Sequence, residues 1–183
     1  MTQPQQIPGD PQYATGPVVL RSLTSHDASA VQSLIESDPG YVQRVTGRDP
    51  GPEDAEELLT AGPPGLEPGQ KVVLGAFEGN TLVAVVDLLR DWPEPGTTHI
   101  GLLQVHREHK RRGLGRRVHD ALLAWVAQDP STTVLRAAIV ETNADHAAPF
   151  WRAMGYSPQG ASRPYPVGTS TSSVTIWTRP VPA

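Results

Sequence analysis

The chain has 183 residues, a formal net charge of −4, 17 glycines, 19 prolines and no cysteine. That length suits one domain around one core, and the glycine and proline content implies long loops. The missing cysteine excludes disulfides, thiolate metal sites and a cysteine nucleophile, and the acidic balance argues against a general nucleic-acid binder.

The N-terminal stretch MTQPQQIPGDPQYATGP has neither the basic start nor the apolar core of a signal peptide, and reads as a disordered leader over residues 1–16. No apolar run approaches the roughly 20 residues of a membrane span, so a cytoplasmic protein without membrane contact is expected. A single domain over 17–180 follows. PVVLRSL (17–23) predicts a strand. Thr24 with Asp27 three residues later predicts a capping box, opening a helix whose apolar face is Ala28, Val31, Leu34 and Ile35, stopped by Pro39-Gly40. A second helix follows Pro52, with Ala55, Leu58 and Leu59 on its apolar side.

KVVLGAF (71–77) and TLVAVVDLL (81–89), joined by EGN, predict a hairpin of buried strands. THIGLLQV (98–105) predicts a third strand and residues 113–127 a helix carrying Leu114, Val118, Ala121, Leu122 and Trp125; His119 falls beside that stripe and is expected to be solvated. TVLRAAIV (133–140) predicts a strand, 145–154 a helix despite Pro149, and SSVTIWTR (172–179) a last strand. The segment between these last two is ambiguous, a short strand or an irregular hairpin. Three successive strands imply antiparallel pairing and the strand–helix–strand unit implies a parallel pair. The fold class is therefore α/β (α+β), a mixed, mostly antiparallel twisted sheet with flanking helices.

Six of the 15 lysines and arginines fall within EHKRRGLGRR and the residue before it: Arg107, Lys110, Arg111, Arg112, Arg116 and Arg117. This basic island lies where a strand gives way to a helix. The amides of 111–116 there lack intrahelical partners and can converge on an anion, with Gly113 and Gly115 leaving room for it. The stretch is not a P-loop, because Gly-Lys-Ser/Thr is missing, nor a dinucleotide fingerprint, because Val118 stands where a third glycine would be needed. A solvated basic helix start is the plain alternative. A nucleic-acid patch would need interleaved aromatics, and the island has none.

LLQVHREHKRRGLGRRVHDALLAWV resembles the acetyl-coenzyme A motif of the GCN5-related N-acetyltransferases, with matches at Val105, Lys110, Gly113 and Gly115; Lys110 replaces the usual arginine or glutamine. VETNADHAAPFWRAMGYS resembles the family's later motif at Asn143, Phe150-Trp151 and Gly155-Tyr156, with one extra residue between asparagine and aromatic pair. The resemblance covers about 17–179. It implies an acetyltransferase fold with a splayed parallel strand pair, and acetyl-coenzyme A as cosubstrate. It implies Leu103 and Val105 along the pantetheine arm, Lys110 and the main-chain amides of Arg111, Arg112, Gly113, Leu114, Gly115 and Arg116 at the pyrophosphate, and Asn143 and Phe150 beside the acyl arm.

The implied reaction is direct attack of a primary amine on the thioester, which needs no protein nucleophile. Trp151 occupies the position where family members often carry a tyrosine acid, and an indole N–H donates a hydrogen bond without giving up its proton. Tyr156, Tyr165 or water could replace that acid. For the base, Asp87 and His99 weigh most: Asp87 interrupts an apolar strand and His99 starts the strand leading to the coenzyme. Glu94 could act through water, and His106 and His109 flank the phosphate loop as bystanders. Histidines 99, 106, 109 and 119 show no convergent metal-ligand spacing, so no metal is expected. Glu36, Asp38, Glu53, Asp54, Glu56 and Glu57, in the regions that flank the acceptor cleft in the resembling family, suggest a cationic acceptor, a small molecule or a peptide. A non-catalytic acyl-coenzyme A sensor remains the rival reading. A monomer or a homodimer is compatible with all of this.

Overall fold

The computed structural model describes residues 13–15, 18–168 and 170–182. Eight strands and five helices follow one another as β1 (Tyr13–Thr15), β2 (Val18–Ser22), α1 (Ala28–Glu36), α2 (Pro39–Thr46), α3 (Asp54–Thr60), β3 (Lys71–Glu78), β4 (Thr81–Leu89), β5 (Thr97–Val105), α4 (Leu114–Val126), β6 (Val134–Val140), α5 (Ala144–Ala153), β7 (Ser157–Val167) and β8 (Ser170–Pro180). The strands form a single sheet in the order β1-β2-β3-β4-β5-β6-β8-β7, antiparallel except for β5 with β6. The mixed sheet expected from the order of elements is therefore found. No helix among the described residues is long and apolar enough to cross a membrane.

The two faces of the sheet carry separate cores. Ala84, Val86 and Leu88 of β4 pack with Leu114, Val118 and Leu122 of α4 and with Trp151, Met154 and Tyr156 from the α5 region. Val73 and Val85 face the other way, with Val31, Leu34 and Ile35 of α1 and Val42 of α2. This is the period-2 alternation of strands buried on both faces.

Several expectations are corrected. Pro39-Gly40 does not stop the first helix but opens α2: Asp38 caps it by accepting from the Tyr41 N–H at 3.2 Å, and Pro39 needs no N–H at that position. α3 begins at Asp54, so Pro52 lies in the preceding turn. Most of the expected leader lies outside the described residues; Tyr13–Thr15, near its end, pairs antiparallel with β2 as an edge strand. The ambiguous stretch before β8 is the 11-residue strand β7, irregular between Gln159 and Arg163. Its prolines are tolerated because β7 is an edge strand. Pro149 sits inside α5, which is one helix from Ala144 to Ala153.

Two irregularities open the sheet. Asp87 pairs with Leu102 and Leu88 with Ile100, so Gly101 bulges from β5. The parallel pairing of β5 with β6 covers only Thr97–Ile100 against Val134–Ala137. Beyond those residues the strands part, each still bound to its outer neighbour.

Candidate active site

A cleft of about 1050 Å³ fills the gap between the parted strands. Its floor is Ile100–Val105 of β5 and Ala137–Val140 of β6; Gly113–Arg116 close one end; Asp38, Tyr41, Arg44 and Val45 of the α2 region form one wall, and Phe150, Trp151 and Met154 another. Because β5 and β6 no longer pair there, the β6-side edge of β5 offers main-chain donors and acceptors to an extended amide-bearing ligand.

The basic end is built by backbone geometry. Arg111 and Gly113 both adopt left-handed conformations, at φ 61° and 72°. They turn the chain into α4, whose first amides lack intrahelical partners; no side chain caps them, and the first helical bond is from the Arg117 N–H to the Gly113 carbonyl at 3.2 Å. A Cβ on Gly113 would meet nothing within 4 Å, so open space lies beside these amides. Such a nest at a helix N-terminus, beside Arg111 and Arg116, fits a pyrophosphate. Gly115 has a different constraint: a Cβ there would stand 3.2 Å from the Phe150 ring, so its bareness lets α5 pack against the first turn of α4.

Part of the basic island is committed to the fold. Lys110 makes an ion pair with Asp38, and Arg117 reaches Glu78 at 3.4 Å. Burial would raise the Asp38 carboxyl, but the hydrogen bond and charge of Lys110 outweigh it and hold it below the usual carboxylate range. Arg107, Lys110, Arg111 and Arg116 line the cleft, whereas Arg112 is exposed and does not.

Leu103, Val105, Lys110, Arg111, Gly113, Leu114, Gly115, Arg116, Asn143, Phe150 and Trp151 come together around this one cleft. Asn143 is 8% exposed and makes no capping bond to α5; instead its Oδ1 accepts from Arg44 Nε at 2.9 Å. That bond orients the amide and leaves its NH₂ as the donor for the cleft.

Asp87, His99 and Tyr156 do not line the cleft. Asp87 holds Lys71 Nζ at 2.8 Å, and burial raises its carboxyl despite that partner. Its Oδ2 lies 2.9 Å from the point a Gly101 Cβ would occupy, so it stands directly behind the bulge that opens the cleft. His99 packs against Trp92 at 5.0 Å, and Arg136 donates to its Nδ1 at 2.9 Å. Burial, helped by the Arg136 charge, lowers His99 to about 4. Its Nδ1 lone pair is already engaged, and its other nitrogen then carries the proton.

Tyr156 lies behind Trp151, ring centroids 4.8 Å apart, and its hydroxyl meets His119 Nε2 at 3.1 Å. His119 is thus not solvated: it is 0% exposed, because the apolar face of α4 is wide enough to take the position beside Val118. Tyr165 is 41% exposed on β7. Of the six acids singled out in the α1–α3 region, only Asp38 lines the cleft. Glu36 takes the Gln32 amide, Asp54 and Glu57 pair with Arg48, and Glu53 and Glu56 face solvent. Tyr41 and Arg44 went unread in the sequence, although Asp38-Pro39 is a usable helix-start signal.

Residues 37–156 match the acetyltransferase (GNAT) family. The fold is similar to an acetyltransferase from Thermus thermophilus (23% identity, 89% of this chain and 96% of that one, TM-score 0.71). It is also similar to the ribosomal-protein-S18-alanine N-acetyltransferase from Escherichia coli (15% identity, 91% and 95%, TM-score 0.65). A third similar structure is the spermidine N-acetyltransferase from Vibrio cholerae in complex with CoA and spermine (13% identity, 90% and 96%, TM-score 0.69). No curated sequence matches the chain. With the family match spanning the amide nest, the parted strands and the aromatic wall alike, the chain belongs to the acetyltransferase (GNAT) family.

Proposed function

We propose that the protein is a cytoplasmic N-acetyltransferase that moves the acetyl group of acetyl-coenzyme A to the primary amine of a small molecule or peptide. The observation that carries this reading is the continuity of the cleft, from the amide nest at Gly113 along the unpaired edge of β5 to the bulge at Gly101. Acetyl-coenzyme A supplies an activated thioester. The chain's own residues do the rest. The nest binds the pyrophosphate, the β5 edge and Asn143 hold the amide-bearing arm, and Phe150 and Trp151 form an apolar wall that excludes water from the cleft. Trp151 donates a hydrogen bond there but no proton.

Calorimetry is expected to show micromolar acetyl-coenzyme A binding, and a thiol-release assay acceptor-dependent turnover with some amine of a broad panel. Folded protein without coenzyme affinity would refute the reading. One observation favours a second reading: neither base candidate lines the cleft. A non-catalytic acyl-coenzyme A sensor would bind the coenzyme and release no thiol with any amine.

Between the two base candidates, Asp87 fits the role better, through water across the Gly101 bulge. Burial raises its carboxyl and so favours proton uptake, and its Oδ2 faces the bulge, whereas the His99 lone pair is occupied by Arg136. Asp87→Asn is therefore expected to lower kcat by about 10²-fold or more with coenzyme affinity retained, and His99→Gln to leave kcat within a few-fold. If Asp87→Asn keeps normal turnover from pH 6 to 9, the acceptor is deprotonated without it.

A further inference from the structure

The charges of the cleft are unevenly supplied. Among the described residues that line it the only carboxylate is Asp38, and that group is taken by Lys110 and by the Tyr41 N–H. Four of the cations, Arg107, Lys110, Arg111 and Arg116, belong to the segment around the amide nest, where phosphate charge has to be met. Arg44 comes from α2, on the wall that faces the parted strands.

Arg44 is firmly placed. Its Nε donates to Asn143 Oδ1 at 2.9 Å, and its carbonyl accepts from the Thr142 hydroxyl. At the end of the same helix, the bare Gly168 in the β7–β8 turn approaches so closely that a Cβ there would lie 3.1 Å from the Thr46 carbonyl. The two terminal nitrogens of the Arg44 guanidinium make no hydrogen bond or ion pair among the described residues, although Nη1 lies against Gly40 and the Arg44 charge helps to hold Asp38 ionised. Tyr41 precedes Arg44 by three residues on one helix, so both side chains fall on the same face. The Tyr41 ring packs against the α1–α3 core, while its hydroxyl makes no hydrogen bond among the described residues. Burial raises this phenol well above its ordinary range, and the nearby Arg44 charge only partly offsets that, so the hydroxyl stays a donor at every working pH.

The Arg44 fork, with Nη1 against Gly40, and a phenol O–H from the same helix face offer donors to a planar two-oxygen anion. A protonated polyamine entering here would meet the Arg44 charge and no uncommitted carboxylate. We propose that Tyr41 and Arg44 form a carboxylate-binding subsite, and that the acceptor is an amine that itself carries a carboxylate, of the amino-acid type. This rests on the proposed transfer to an amine and narrows its acceptor.

The test compares acids with their carboxamides, so that any change in coenzyme affinity caused by moving Asn143 cancels. Protein saturated with coenzyme A is melted with millimolar α-amino acids, short ω-amino acids and the carboxamide of each. The same pairs are then run as acceptors with acetyl-coenzyme A. At least one acid is expected to stabilise the complex and to exceed its carboxamide in kcat/KM by about 10- to 100-fold, the value of a charge-assisted hydrogen-bond pair. Arg44→Met is expected to bring that ratio near one, and Tyr41→Phe to an intermediate value. Carboxamides and polyamines performing as well as the acids would overturn the proposal. So would an acid-to-amide ratio unchanged in Arg44→Met alongside weaker coenzyme binding, because Arg44 would then serve the coenzyme's phosphates. If nothing is acetylated, the transfer reading fails by itself. The melting arm still decides the subsite: acid-specific stabilisation lost in Arg44→Met supports it, and its absence from the wild-type protein overturns it.

Discussion

Gly113→Val is expected to abolish measurable coenzyme binding, a loss of about 10²-fold or more, equally for acetyl-, propionyl- and free coenzyme A. Gly113 holds φ 72°, where a non-glycine residue costs about 1–2 kcal/mol and a β-branched one more. The fold itself leaves the Cβ room, since nothing lies within 4 Å of it. The space a side chain would fill is the space beside the first amides of α4, where the anion fits. The effect should therefore fall on binding far more than on folding. Gly69→Val is the matched control, because Gly69 has φ 88° and equally open surroundings but does not line the cleft. It should show the backbone strain as a lower melting temperature and keep its coenzyme affinity. If Gly113→Val binds as the wild type does in calorimetry, the pyrophosphate is not held at this nest.

The same residue shows what was legible beforehand. Two glycines among unpaired amides, placed between a strand and an amphipathic helix, state their chemistry locally, and the structure puts them at the end of the cleft. The buried strands β3, β4 and β5 were equally clear, because long runs of valine and leucine have few other solutions. α2 was lost because Pro-Gly reads as a stop unless the preceding Asp38 is recognised as a cap, and with α2 went Tyr41 and Arg44. β7 was obscured by prolines that only an edge position permits. The acids of the α1–α3 region were visible, but their direction was not. Their solvent-facing positions and pairing with Arg48 are matters of tertiary packing that charge counting does not contain. The inward turn of His119 is hidden in the sequence for a related reason, since one position at the margin of a helical stripe turns inward or outward according to what packs across from it.

Stability is expected to fall as pH drops from 6.5 toward 4, before the carboxylates held below 3.8 are involved. His99 and His119 are both buried, and burial is the first cause holding each near 4 instead of the ordinary 6.5. The positive charge of Arg136 adds to it for His99 and that of Arg179 for His119, while Asp120 opposes it weakly. The unfolded chain takes up two protons near pH 6.5 that the folded chain refuses until about pH 4. The stabilising difference is thus complete above 6.5 and lost as pH falls through that window. Each histidine contributes about 3 kcal/mol across the window, a large fraction of the stability of an ordinary domain. Asp27, Asp38, Asp54 and Asp129, all held below 3.8, lose their contribution only at lower pH, and the raised Asp87 carboxyl acts with the opposite sign. His119 has the further handicap of an Nδ1 without a hydrogen bond, buried beside Tyr156 and Trp151, so a second proton there would place a charge against the aromatic wall of the cleft. Denaturant unfolding at intervals of pH should therefore give a slope of about 2.7 kcal/mol per pH unit in mid-window, two protons' worth, and about half that in either His99→Gln or His119→Gln. The slope is read independently of the absolute stability, so a variant with a weakened core still answers. A wild-type slope near zero between pH 6 and 4.5, or single variants that keep the full slope, would show that these histidines ionise in the folded state as freely as in the unfolded chain.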